Sequence, residues 1–117
     1  MNDERKQIEL LYKYQNELGY IEKIEMFRDK YSEGSADFIM EIILSDYPFC
    51  EKSPKLVLKC NGIKQLEIRN IDNLCKAYIS IDDIRNFQME DIGYVVKETE
   101  NNFFSFVCKD FCVDLKD

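Results

Sequence analysis

The 117-residue chain contains no histidine and no tryptophan, two prolines, and four glycines that never fall near one another. Each shortage removes a class of chemistry. Histidine is the one side chain whose unperturbed pKa sits near neutrality. Without it there is no imidazole general base, no Ser–His or Cys–His nucleophile pair and no histidine-bearing zinc site. Gly19, Gly34, Gly62 and Gly93 are isolated, which leaves neither a dinucleotide fingerprint nor a phosphate-cradling loop. No G-x-S-x-G elbow occurs. No stretch approaches the roughly 20 apolar residues of a membrane span. The opening Met1-Asn2-Asp3-Glu4-Arg5-Lys6 lacks the apolar core of a signal peptide. A cytoplasmic protein is expected.

Acid is in surplus: 23 Asp and Glu against 16 Lys and Arg, for a net charge of −7. Phosphate binding needs clustered cations, so nucleic acid is disfavoured as a partner, and an anionic membrane surface is disfavoured for the same reason. A hydrophobic content of 45% suits a folded protein. A chain of this length makes one domain, 1–117, because two halves would each struggle to close a core. The five cysteines (Cys50, Cys60, Cys75, Cys108 and Cys112) are odd in number and irregular in spacing, which argues against a disulfide framework. No C-x2-C pair offers a zinc site. Reduced thiols packed as small hydrophobes are expected, with no metal and no cofactor. Cys50, between Pro48 and Pro54, has the most exposed setting, but only Lys52 is near to activate it.

Periodicity supplies the elements. Residues 3–18 read as a helix with Ile8, Leu11, Tyr12, Gln15 and Leu18 on one face, capped by Asn2 or Asp3 and stopped by a left-handed Gly19. Residues 20–31 fit either a helix or a strand. We take 21–28 as the antiparallel neighbour of Phe38–Leu44, across a turn at Ser32-Glu33-Gly34-Ser35. Phe38–Leu44 is apolar almost throughout, as in a central strand covered on both faces. Asn61-Gly62 predicts a hairpin between 56–60 and 63–68. Burial favours pairing Leu58 with Leu66 and Leu56 with Ile68 over the tight turn that sets Leu58 opposite Gln65.

Residues 77–84 and 92–98 read as further strands. A turn centred on Asn101 pairs Val96 with Phe106 and Tyr94 with Cys108 on one apolar face. Past Asp110 the apolar parity flips, which requires a bulge or corner near Lys109-Asp110 and sends Cys108 and Cys112 to opposite sides. The expected fold is α+β, an N-terminal helix packed on a mainly antiparallel sheet, with a β-sandwich as its folded-over form.

Charge is concentrated as well as abundant. Between Asp82 and Glu100 six carboxylates face only Arg85 and Lys97, with Tyr78, Phe87 and Tyr94 in or beside the span. Aromatic anchors within a charged rim suit an electrostatically steered interface. On that reading the partner-binding residues are Asp82, Asp83, Glu90, Asp91, Tyr94, Glu98 and Glu100. The plainer reading is that the acids are solvated and the rings face the core. Paired acids also serve glycoside hydrolysis or hold a divalent cation, but a chain this small builds a poor cleft.

Several segments together carry a family likeness. They are Leu56-Val57-Leu58-Lys59-Cys60-Asn61-Gly62-Ile63, Leu66-Glu67-Ile68, Ile79-Ser80-Ile81-Asp82-Asp83-Ile84, Gly93-Tyr94-Val95-Val96, Glu100 and Phe104-Ser105-Phe106-Val107-Cys108-Lys109-Asp110-Phe111. Over residues 55–113 this pattern resembles small acidic β-rich bacterial proteins grouped with the immunity proteins of polymorphic toxin systems. The resemblance implies antiparallel β structure and neutralisation of a toxin by binding. The reading is therefore of a protein that is not an enzyme, an immunity protein meeting a cationic toxin domain through an acidic face. A structural, self-associating homodimer is the alternative.

Overall fold

A computed structural model of the chain describes residues 4–29, 37–84 and 93–116. The expected turn at 32–35, the caps Asn2 and Asp3, Phe87, and two of the candidate acids, Glu90 and Asp91, lie outside the described residues. One helix, α1 (Glu4–Tyr14), precedes eight strands: β1 (Tyr20–Arg28), β2 (Phe38–Ser45), β3 (Lys55–Asn61), β4 (Lys64–Ile68), β5 (Ile79–Asp83), β6 (Tyr94–Glu98), β7 (Phe104–Cys108) and β8 (Asp110–Lys116). They form two four-stranded sheets, ordered β1-β2-β3-β8 and β4-β7-β6-β5, with every pairing antiparallel.

Period-two alternation gives each sheet one apolar face, and the two faces share a core. Met40, Ile42 and Leu44 of β2 and Leu56, Leu58 and Cys60 of β3 are fully buried, in one cluster with Val96, Phe104, Phe106 and Cys108 of the second sheet. The α+β expectation thus takes its sandwich form. Residues 21–28 do pair with β2, Ile24 opposite Ile42 and Met26 opposite Met40. β2 is an interior strand, but its second face carries half-buried Glu41 and Ile43, so it is not covered on both faces throughout. Pairing of Val96 with Phe106 and of Tyr94 with Cys108 is as expected. The parity flip is a corner: β7 ends at Cys108, and β8 begins at Asp110 in the other sheet, with Phe111 and Val113 turned inward.

Two expectations fail for physical reasons. β3 and β4 form no hairpin, since β3 pairs with β2 and β8 whereas β4 pairs with β7. Gly62 takes a φ of 70°, as Asn-Gly allows, but the turn carries the chain from one sheet to the other. The Gly62 and Ile63 amides both donate to the Phe38 carbonyl (2.9 and 3.1 Å), which fixes that crossing. Leu56 and Leu58 instead pair with Leu44 and Ile42 on one side and Leu115 and Val113 on the other, where they are buried completely. The helix is also shorter than 3–18. It ends at Tyr14, and Gln15 to Leu18 continue as turns held by Gln15 N to Leu11 O (2.9 Å) and Leu18 N to Tyr14 O (2.8 Å). Gly19 serves by being small rather than left-handed, because a Cβ there would run into the Gln15 carbonyl oxygen.

α1 lies against β8, β3 and β5, across one side of the sandwich. Its contribution there is polar as well as apolar. The Gln7 side-chain oxygen accepts from the Val113 amide of β8 (2.7 Å), and the Tyr12 hydroxyl accepts from the Ile81 amide of β5 (3.1 Å). Just past the helix, Gln15 accepts from the Ile79 amide (2.8 Å) and donates to the Ile79 carbonyl (3.1 Å). β5 and β8 are edge strands, and edge main-chain groups left bare invite pairing with other chains. Here one short segment of chain covers both.

Candidate functional site

β5 and β6 bring the acids of the 82–100 span to quite different places. Asp82 and Asp83 end β5 and are exposed. Successive residues of a strand point to opposite faces, so Asp82 stands on the outer face of its sheet. Asp83 lies on the side of Ile79 and Ile81, next to α1. Glu100 is exposed in the turn after β6, at the other end of β5, about 13 Å away at the ordinary strand rise. The carboxylates of the described residues do not make one patch.

Two of the candidates belong to the interior. Glu98 is 1% exposed. Its carboxylate accepts from the amides of Asn101 (2.8 Å), Tyr78 (3.0 Å), Phe103 (3.1 Å) and Glu100 (3.2 Å), and from the Asn101 side chain (3.3 Å). It is the post around which the β6–β7 turn and the approach to β5 are wound, and a buried carboxylate needs such a set of donors. Tyr94 is likewise 1% exposed. Its ring meets Phe111 edge-on at 4.9 Å between centroids, and its hydroxyl donates to Glu4. Glu98 is closed off from any partner, and Tyr94 reaches the surface only as part of the lining of a cleft. The signal for both was present in the sequence: Tyr94, Val96 and Glu98 share one parity, so the apolar face of β6 contains the acid. Gln15 was marked in the same way, as a polar residue at a core spacing between Leu11 and Leu18.

What the fold assembles beside Asp83 is a cleft between α1 and the β5–β6 end. Glu4, Arg5, Ile8, Glu9, Tyr12, Asp83 and Tyr94 line it. Ile8 and the two tyrosine rings give it an apolar floor, and three carboxylates to one guanidinium give it a negative rim. Ile84 N donates to Gly93 O (2.9 Å) at this same end. Glu90 and Asp91 fall three and two residues before Gly93 in the chain.

Elsewhere the chemistry is quiet. Cys60 and Cys108 are buried and in contact across the two sheets. The hydrogen bond that the Cys60 thiol makes to Cys108, and then burial, push that thiol well above its ordinary range. Cys50 is exposed, as expected, but so are Cys75 and Cys112. Among the described residues no three metal-binding side chains converge. Glu22 is held below the usual carboxylate range, chiefly by its hydrogen bond from Lys55 (2.6 Å); burial opposes this, and a weaker contribution from the Ser45 hydrogen bond (2.9 Å) supports it.

The described residues thus form a two-sheet sandwich with an acid-rimmed cleft between α1 and the β5–β6 end. The family model described as "Immunity protein PIM8" matches residues 3–114, and the chain belongs to that family of immunity proteins. The match reaches well beyond the 55–113 segment that carries the visible likeness and takes in α1. No curated protein and no solved structure matches the chain.

Proposed function

We propose that the protein neutralises a bacterial toxin by binding it, without catalysis, and that the acidic cleft between α1 and the end of β5 receives a cationic segment of that toxin. Family membership supports the role, since an immunity protein has a toxin for its partner. The observation that carries the location is the cleft itself: Glu4, Glu9 and Asp83 around Ile8, Tyr12 and Tyr94. A lysine or arginine has an apolar stem and a charged head, and this floor and rim match both parts. Asp82 adds to the field at the same end, whereas Glu98 and Glu100 have no part in it. The net charge of −7 steers a cationic partner towards the protein before contact.

The test is binding of the purified protein to the toxin encoded by the adjacent gene, with kinetics followed against salt. Charge reversal of Glu9, Asp82 and Asp83 to Lys should slow association about tenfold or more and flatten its salt dependence, with dissociation little changed. An association rate indifferent both to these reversals and to salt would remove the acidic cleft from the account.

A further inference from the structure

Among the described residues β1 has one occupied edge and one open edge. It pairs along its length with β2, and on its other side the described residues give it a single antiparallel bridge, Tyr20 to Lys76. Beside that open edge runs an apolar groove. Ile24 and Met26 line it from the inward face of β1, and Ile68 (41% exposed) and Ile71 (37% exposed) line it from across the gap. A strand added to β1 would lay its inward side chains on this groove, so the groove asks for a strand with apolar residues at alternate positions.

The outer face of β1 adds a charge requirement. Glu25 stands directly opposite Glu41, and Glu41 stands opposite Lys59. Like charges directly opposite each other in a sheet repel, so Glu25 is best served by a cation on its open side. Lys23, two residues away on the same face, reaches Glu25 at 3.4 Å.

We propose that the occupant of this edge is a second copy of the same chain, with β1 paired antiparallel to β1 about a two-fold axis at Ile24. In that register Lys23 of each copy falls opposite Glu25 of the other. The two internal ion pairs close into a ring of four alternating charges, and the row across the joined sheets reads Lys23 of the second copy, Glu25, Glu41, Lys59. Ile24 meets Ile24 of the second copy on the inward face. Counting through the bulge at Glu22, Ile21 of the second copy falls opposite Met26. Neighbouring two-fold registers lose this match, since centring on Glu25 stacks the two glutamates and centring on Met26 sets Glu25 against Phe27. A bulge and a lysine are the devices by which an edge strand refuses stray partners, and self-pairing at Ile24 satisfies both. The interface is isologous, as closed dimers usually are, and joins two four-stranded sheets into one of eight strands.

Sedimentation velocity over a concentration series on the full chain, alone, tests this. Wild type should show a monomer–dimer equilibrium. Lys23→Glu and Glu25→Lys should each weaken the dimer about tenfold or more, because each sets like charges opposite one another twice. The double variant Lys23→Glu/Glu25→Lys should dimerise as wild type does. An equimolar mixture of the two single variants should form a heterodimer, since positions 23 and 25 are then both acidic in one copy and both basic in the other. Circular dichroism checks that each variant is folded. A wild-type protein that stays monomeric at several hundred micromolar overturns the proposal, as does a dimer indifferent to both single changes. If the chain is monomeric alone and the β1 variants lose toxin binding instead, the edge belongs to the toxin and the second copy is excluded.

Discussion

On the β5 and β8 side of the molecule, Gln7, Tyr12 and Gln15 reach main-chain groups of two edge strands. On the β1 side the described residues supply one bridge, and apolar side chains line the groove beyond it. Both are edges of the same sandwich, built of strands of the same alternation. The difference teaches that the polar residues on the inner face of α1 are not decoration on an amphipathic helix. They replace the neighbour strand that β5 and β8 lack, and so forbid another chain from supplying it. Among the described residues β1 carries no such cover, and Lys23 and Glu25 on it stand in a self-complementary order. Among the described residues, one side of the sandwich is covered and the other is open.

The strongest blow to the covered side should come from Glu98→Ala, which strips the acceptor from the amides of Tyr78, Asn101 and Phe103 at the entrance to β5 and in the β6–β7 turn. A loss of roughly 3–5 kcal/mol is expected in denaturant unfolding, because hydrogen bonds to a charged acceptor are strong and orphaned amides are costly. Glu100→Ala, two residues on and exposed, should change stability by less than about 0.5 kcal/mol. Next comes Gln15→Ala, which bares both the amide and the carbonyl of Ile79. About 2–4 kcal/mol should be lost, with a rise in self-association through β5, visible by sedimentation as the covered edge becomes an open one.

A smaller effect concerns Glu22, whose side chain lies by the bulge of β1 and joins Ser45 and Lys55. Its carboxyl titrates below its ordinary value, so the stabilisation is full at neutral pH and disappears as pH falls through that lowered value. Glu22→Gln should flatten the acid limb of stability against pH by lowering the neutral value while leaving the acid end little changed, as read from urea midpoints across the carboxylate range. The mildest test is chemical. Cys50, Cys75 and Cys112 should react with a thiol reagent in the native protein, whereas Cys60 and Cys108 should react only after unfolding. Prompt modification of all five would mean that the contact between sheets is not closed.

Much of this was legible in the residues. Pairing of Val96 with Phe106 followed from apolar parity across a single turn, and the corner at Lys109-Asp110 followed from its reversal. The Gly62 crossing did not, because Asn-Gly reports only that the backbone takes a left-handed step and not which sheet the chain enters next. The acidic span misled for a related reason. A carboxylate satisfied by main-chain amides has no partner charge to betray it, so Glu98 looked like Glu100 although parity put it among Tyr94 and Val96. The cleft at Asp83 was beyond reach, since most of its lining comes from a helix some seventy residues earlier in the chain. The capping roles of Gln7 and Tyr12 depend on the same long-range docking.

Amide hydrogen exchange, resolved by residue on the protein alone, tests the contrast between covered and open edges most directly. At concentrations where the chain is monomeric, the amides of Ile79, Ile81 and Val113 should be slow. Every second amide from Lys23 to Arg28 should be fast, and should slow as concentration rises and a second copy occupies the edge. Alternate β1 amides as slow in dilute solution as those of Ile79 and Ile81 would contradict the account, for that edge would then be covered already.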